Sequence, residues 1–186
     1  MKLLIKIYLD KINIYDLEQL VLTLNSSIED KDNTNIYIMT NTLKHKLEFE
    51  TCYLDEHKIQ IMINHNLSEL EWDLVLPIMY PYIISKGFDT QIKDIYKQKF
   101  KNTEGVLFLS NDKGNNLTAI GREYYEKFGH IYNPIYTNKN FENEFIDIMK
   151  LTNKYYEDNL RFKIIEIKTD DDNIYEMRKK MNFGIY

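Results

Sequence analysis

The chain is poor in the residues that crosslink or punctuate a protein. Among 186 residues there are one cysteine, one tryptophan, three prolines and six glycines. A lone Cys52 excludes an intramolecular disulfide and a cysteine zinc cluster, and a single thiol suits a reducing, intracellular compartment. His45, His57, His65 and His130 are scattered without metal-ligand spacing, so no zinc site is expected. Basic residues are in deficit: 24 Lys and Arg face 29 Asp and Glu, a net charge of −5. That balance argues against broad electrostatic binding to nucleic acid or to an anionic membrane. No apolar run reaches the ~18–20 residues that span a bilayer. "MKLLIKIYLD" begins like a signal peptide, but Lys6 breaks its apolar run, Asp10 ends it and no small-residue cleavage site follows, so it reads as a strand. Walker loops, GxGxxG turns and a Ser-His-Asp order are absent as well. The expected setting is cytoplasmic, without nucleic-acid or membrane partners.

Hydrophobic residues make up 44% of the chain, enough for a folded core. The length suits one domain over 1–186, since single domains commonly run to roughly 100–200 residues. "KLLIKIYL" (2–9), "IYIMT" (36–40), "HKIQIMIN" (57–64), Leu74–Met79 and "GVLFL" (105–109) read as strands. Pro77 and Pro81 restrict the fourth of these to a short strand, an edge strand or one that ends near Pro77. Leu17, Leu20, Val21, Leu24 and Ile28 share one helix face, and Phe88, Ile92, Ile95, Tyr96 and Phe100 share another. Ser68 and Glu71 have capping-box spacing, a helix-start signal. A third amphipathic helix is expected over 141–156, a strand over 161–168 and a short helix from the "DDD" at 170–172 onward. Strands alternating with helices predict an α/β fold, a mostly parallel sheet flanked by helices.

One stretch departs from this texture. "GREYYEKFGHIYNPIY" (121–136) holds two of the six glycines, one of the three prolines and four tyrosines. With "GVLFL" before it, Asn111 and Asp112 between, and "ENEF" (142–145) after it, this block resembles small glycosyltransferase-like proteins of the GT-A fold, found in phage, viral and bacterial genomes. That family carries Gly-Val-Leu-Trp-Phe, Asn-Asp-Gly, Gly-Arg-x-Tyr-Tyr-x-x-Phe-Gly-Tyr-Ile-Tyr-His-Pro-x-Tyr and Asp-Asn-Glu-Phe in the same order. "LLIK" (3–6), "WDLVL" (72–76), "GFD" (87–89) and "RKKMNFG" (178–184) extend the likeness more weakly to both ends. The resemblance implies a GT-A-like domain covering the whole chain, a complete small protein.

A transferase of that kind binds a nucleotide-sugar. Its divalent cation, Mn²⁺ or Mg²⁺, is held by aspartates at the end of a central strand and neutralises charge on the diphosphate leaving group. The family positions of those aspartates align with Met79 and Tyr80, which are no ligands for a hard cation. The nearest acids are Asp73 and Asp89. Where the family has an Arg-rich, proline-containing loop after the first strand, this chain has "DKINIYD" (10–16) with one Lys and no Arg or Pro; the acidic cluster after the second strand is missing from "IYIMTNTLK" (36–44), and the C-terminal His pair is missing from "IIEIKTDDD" (164–172). The His of Ile-Tyr-His-Pro is Asn133.

What the resemblance leaves is a scaffold with a few capable side chains. Asn111, Asp112 and Arg122 are the candidate substrate-binding residues, each with a plainer alternative as turn or ion-pair residues. Glu142 and Glu144 are the candidate general bases for an acceptor hydroxyl if the protein is active, although acids also favour a helix start for electrostatic reasons. No metal site and no cofactor is expected, with Mn²⁺ or Mg²⁺ only if it is a working enzyme. The favoured reading is a degenerate, non-catalytic glycosyltransferase-like protein with a structural or binding role, among other proteins of a phage or viral assembly and then located in the virion. The alternatives are an active nucleotide-sugar-dependent transferase with an atypical donor site, and a sugar- or nucleotide-binding module without turnover.

Overall fold

The computed structural model describes residues 1–8, 14–40, 51–53, 59–78, 82–110, 116–135, 140–159 and 164–166. Along the chain these form β1 (Leu3–Tyr8), α1 (Ile14–Ser27), a 3₁₀ turn (Lys31–Asn33), β2 (Thr34–Thr40), β3 (Thr51–Tyr53), α2 (Ile59–Asn64), β4 (Leu74–Ile78), β5 (Tyr82–Ile84), α3 (Phe88–Lys99), β6 (Val106–Ser110), β7 (Asn116–Gly121), α4 (Arg122–Phe128), α5 (Asn140–Leu151), β8 (Tyr155–Asn159) and β9 (Ile164–Glu166).

Seven strands make one sheet in the order β3-β2-β1-β4-β7-β6-β8. All its pairings are parallel except those of β7, which runs against both β4 and β6. The carboxyl ends of β1, β2, β3, β4, β6 and β8 therefore share one edge, the strand-end edge. The carboxyl end of β7 and the helix it feeds, α4, lie at the opposite, strand-start edge.

Alternation along the strands divides the core in two. Leu3, Ile5 and Ile7 of β1 pack with Leu17, Leu20, Val21 and Leu24 of α1 and with Phe88, Ile92 and Tyr96 of α3. Leu4 and Tyr8 face the other layer, built from Met62 and Ile63 of α2, Tyr124 of α4, and Phe145 and Met149 of α5. Helices thus cover both faces of a mixed sheet, as parallel strands require.

Several elements differ from the sequence expectation. Of the strand expected over 57–64, residues 57 and 58 lie outside the described residues and Ile59–Asn64 form helix α2 instead, with Gln60, Met62 and Ile63 buried. The cause is topological. β3 and β4 point the same way, so the connection between them is a crossover, which a helix fills. The Ser68–Glu71 signal opens no helix; residues 65–70 turn, with Asn66 in a left-handed conformation (φ 54°). β4 is a central strand, flanked by β1 and β7, and ends one residue past Pro77. β7 pairs only with Leu74 and Val75, so the missing N–H of Pro77 costs that ladder nothing.

The helix expected over 141–156 stops at Leu151, where Asn153 turns left-handed (φ 53°) and Tyr155 and Tyr156 join β8 by pairing with Val106 and Leu107. The expected strand 161–168 is described only at 164–166, where β9 pairs with β5 in a separate two-stranded sheet. The expected helix from 170 lies outside the described residues.

Candidate functional site

In open α/β sheets, ligands bind outside the carboxyl ends of the strands, at the point where the chain switches from building one side to building the other. Here β1 is followed by β2 on one side and flanked by β4 on the other, so the switch point lies at the ends of Tyr8 and Ile78. The residues directly after these strands, including Met79 and Tyr80, lie outside the described residues, as do Asn111, Asp112 and the side chain of Glu142.

Asp73 and Asp89, the acids nearest Met79 and Tyr80 in sequence, both sit at the strand-start edge. Asp73 accepts the N–H of Lys2 at 2.7 Å and lies 3.9 Å from the N-terminal ammonium. Asp89, wholly buried, accepts the N–H groups of Glu29 and Asp30 at 3.0 Å each and the Thr34 hydroxyl at 3.2 Å. Lys93 stands 4.0 Å from this carboxylate and donates to Asp30 (2.9 Å) and to Thr34 Oγ1 (2.7 Å). Its hydrogen bond holds the Asp30 carboxyl below the usual range. A carboxylate with this many donors is a structural lock between the α1–β2 turn and α3. These two acids do not fit the divalent cation that the fold family implies. Among the described residues no group of three or more His, Cys, Asp or Glu side chains is placed to hold a metal ion.

Arg122 is also at the strand-start edge. Its side chain donates to the carbonyls of Leu70 (3.1 Å) and Trp72 (3.4 Å), pairs with Glu126 at 2.9 Å and lies over the Trp72 ring. Its own N–H donates to the Asp73 carbonyl at 2.8 Å. Gly121 before it has ordinary β dihedrals, but a Cβ there would stand 2.0 Å from the Thr103 carbonyl oxygen and 2.2 Å from the Tyr96 hydroxyl. This glycine is demanded by close approach. Gly129 is demanded by conformation: it caps α4 with φ 74°, its N–H donating to Tyr125 at 2.7 Å. Tyr124 and Tyr132 meet Phe145 edge-on at 5.3 and 5.4 Å between centroids, a buried aromatic cluster.

The strand-end edge receives Glu144 by a different route. α5 precedes β8, and β8 starts at the strand-start edge, so the first turns of α5 lie toward the strand ends. Glu144, half-buried there, accepts a long hydrogen bond from Asn133 Nδ2 at 3.4 Å. Burial chiefly, and the Glu144 charge, push the Tyr124 phenol above its ordinary value.

Two residues behind this pair escaped the sequence reading. Lys6 is wholly buried in β1, and its ammonium donates to the carbonyls of Ile63 (2.7 Å) and His65. Asn64 donates to Gln60 (2.7 Å) and Tyr132 (2.6 Å) and accepts the N–H of Ile131 at 2.6 Å. The only signal for Lys6 was a lysine inside an apolar strand. Nothing local marks Asn64, two of whose three partners are 67 and 68 residues away. Of the five candidate site residues, the structure sets Glu144 toward the strand-end edge and Arg122 at the strand-start edge.

A cleft of about 390 Å³ also opens at the strand-start edge, between Glu104, Glu123, Lys127 and Lys154. Lys154 pairs with Glu104 and holds that carboxyl below its usual range, and Glu123 accepts from Asn102 and Thr103. Its charges are thus largely matched internally.

No family model and no curated protein matches the chain. Solved structures do. TarS of S. aureus superposes with a TM-score of 0.69 over 99% of this chain, at 11% identity, and this chain spans only 39% of TarS. The 1–349 portion of TarS in complex with UDP-GlcNAc matches at TM-score 0.63 and 11% identity, over 87% of this chain and 59% of that one. A putative glucose-1-phosphate thymidylyltransferase from Bacillus anthracis matches at TM-score 0.64 and 9% identity, over 97% of this chain and 95% of that one. The fold is GT-A-like, the fold of glycosyltransferase and nucleotidyltransferase domains. Among the described residues no helix is long and apolar enough to cross a membrane.

Proposed function

We propose that this chain is a degenerate glycosyltransferase-like protein that binds a nucleotide-sugar without transferring the sugar. One observation carries the reading. Asp73 and Asp89, the acids closest in sequence to the end of β4, are both committed to backbone donors at the edge away from the strand ends. They are therefore unavailable for the diphosphate cation on which transfer in this fold commonly depends. The frame for a nucleotide remains: parallel strands with a switch point between β1 and β4. Solved GT-A-like structures holding UDP-GlcNAc and UDP support the ligand class.

The placement of Glu144 favours one second reading, an active transferase with a metal-independent donor site. An acid on the ligand edge is what a general base for an acceptor hydroxyl needs. Thermal unfolding with a panel of nucleotide-sugars, with and without Mn²⁺, separates the possibilities. A ligand at a hundred times its Kd stabilises by about 2.7 kcal/mol. Stabilisation without sugar release or transfer supports binding alone. Turnover abolished by Glu144→Gln supports the enzyme. No stabilisation by any member leaves a purely structural role.

A further inference from the structure

Asn64 joins two distant parts of the molecule through one side chain. Its amide donates to the carbonyls of Gln60 within α2 and of Tyr132, and its oxygen accepts the N–H of Ile131, so the dipeptide Ile131–Tyr132 is held at both ends. The next residue, Asn133, accepts the N–H of Ile135 at 3.2 Å and donates to Glu144. Asn64 is itself held. The Lys6 ammonium donates to the carbonyls of Ile63 and His65, the residues on either side of it. A continuous set of bonds therefore runs from β1, the strand that ends at the switch point, to the Asn133–Glu144 pair.

We infer that Asn64 is a positioning residue for the sugar end of the ligand, acting through Asn133 and Glu144. This rests on the nucleotide-sugar reading above. An amide beside a carboxylate presents a donor and several acceptors together, the complement of neighbouring hydroxyls on a sugar ring. An amide and a carboxylate also pair with a nucleobase edge or with ribose hydroxyls, so the nucleoside diphosphate, which carries both, is the ligand that isolates the sugar's share. Lys6 and Asn64 fix the pair's distance from the strand ends through β1 itself.

The test is calorimetric titration of wild type and Asn64→Ala with the tightest nucleotide-sugar of the panel and with its nucleoside diphosphate. Amide hydrogen exchange at Ile131 is measured in parallel, and Asn102→Ala serves as an exposed control. Asn64→Ala is expected to release Ile131 to exchange and to weaken the nucleotide-sugar about tenfold, the effect of losing roughly one hydrogen bond, with the diphosphate unchanged. Equal weakening of both ligands marks a merely structural residue and overturns the inference, as does no weakening of either; the nucleotide-sugar reading survives both. A wild type that binds no nucleotide-sugar removes that reading and the inference together. Should Asn64→Ala not fold, Asn133→Ala carries the same titration, and there too an unchanged ratio of the two affinities overturns the inference.

Discussion

The two halves of the block 121–136 are held by different parts of the molecule. Gly121 to Phe128 belongs to the strand-start edge: Gly121 packs against Thr103 and Tyr96, and Arg122 against Leu70, Trp72 and Asp73. Ile131 to Ile135 is gripped by Asn64 and leads to Glu144, toward the strand ends. A stretch that looks like one motif thus does two jobs. Its first half closes the sheet, and its second half lies toward the strand ends, where the proposed ligand would sit. Substitutions in the first should cost stability and spare ligand affinity, while substitutions in the second should do the reverse.

The largest effect is expected at Asp89, the lock on the same edge as the first half. Asp89→Ala removes the buried carboxylate that accepts the N–H groups of Glu29 and Asp30 and the Thr34 hydroxyl, and should cost about 3–5 kcal/mol in urea unfolding. Gly121→Ala forces a Cβ against a backbone carbonyl and should cost about 2–3 kcal/mol, read by the same unfolding curves. Nucleotide affinity of the folded fraction should stay at the wild-type value in both. Asn64→Ala should cost less globally, about 1–2 kcal/mol, while exchange at Ile131 rises steeply.

The smallest effect is a pH dependence. Burial and then the nearby Lys6 charge depress the His65 pKa below its ordinary 6.5. The unfolded chain then takes up the proton first as pH falls. The stability tied to neutral His65 is present above pH 6.5 and is lost as pH drops through 6.5 toward the lower folded value. Because His65 is partly exposed, the change should stay below about 1 kcal/mol, and His65→Gln should flatten it in unfolding curves between about pH 7 and 5.

Much of the fold was legible because it rests on local pattern. The apolar stripe of α1 and the apolar runs of β1, β2 and β6 announce themselves within a dozen residues. What failed was decided by distant partners. "IQIMIN" has the composition of a strand but lies in the crossover between the parallel strands β3 and β4, so it becomes helix α2. Tyr155 and Tyr156 continue a helical stripe yet pair with β6 instead. The same holds at the site. The glycines of the block were visible from the family resemblance, which also supplied Glu144 as a candidate. The commitment of Asp73, Asp89 and Arg122 to the far edge was not, because it depends on the direction of β7 and on partners 52 to 71 residues away. Lys6 was read only as an interruption of an apolar run; its partners, the carbonyls at the end of α2, do not exist until the sheet and that helix have come together.

The most direct measurement is product analysis by mass spectrometry alongside binding of the nucleotide-sugar panel, with and without Mn²⁺. The account predicts a nucleotide-sugar that binds equally well in both conditions and remains intact. Sugar transfer or hydrolysis that requires Mn²⁺ would contradict it.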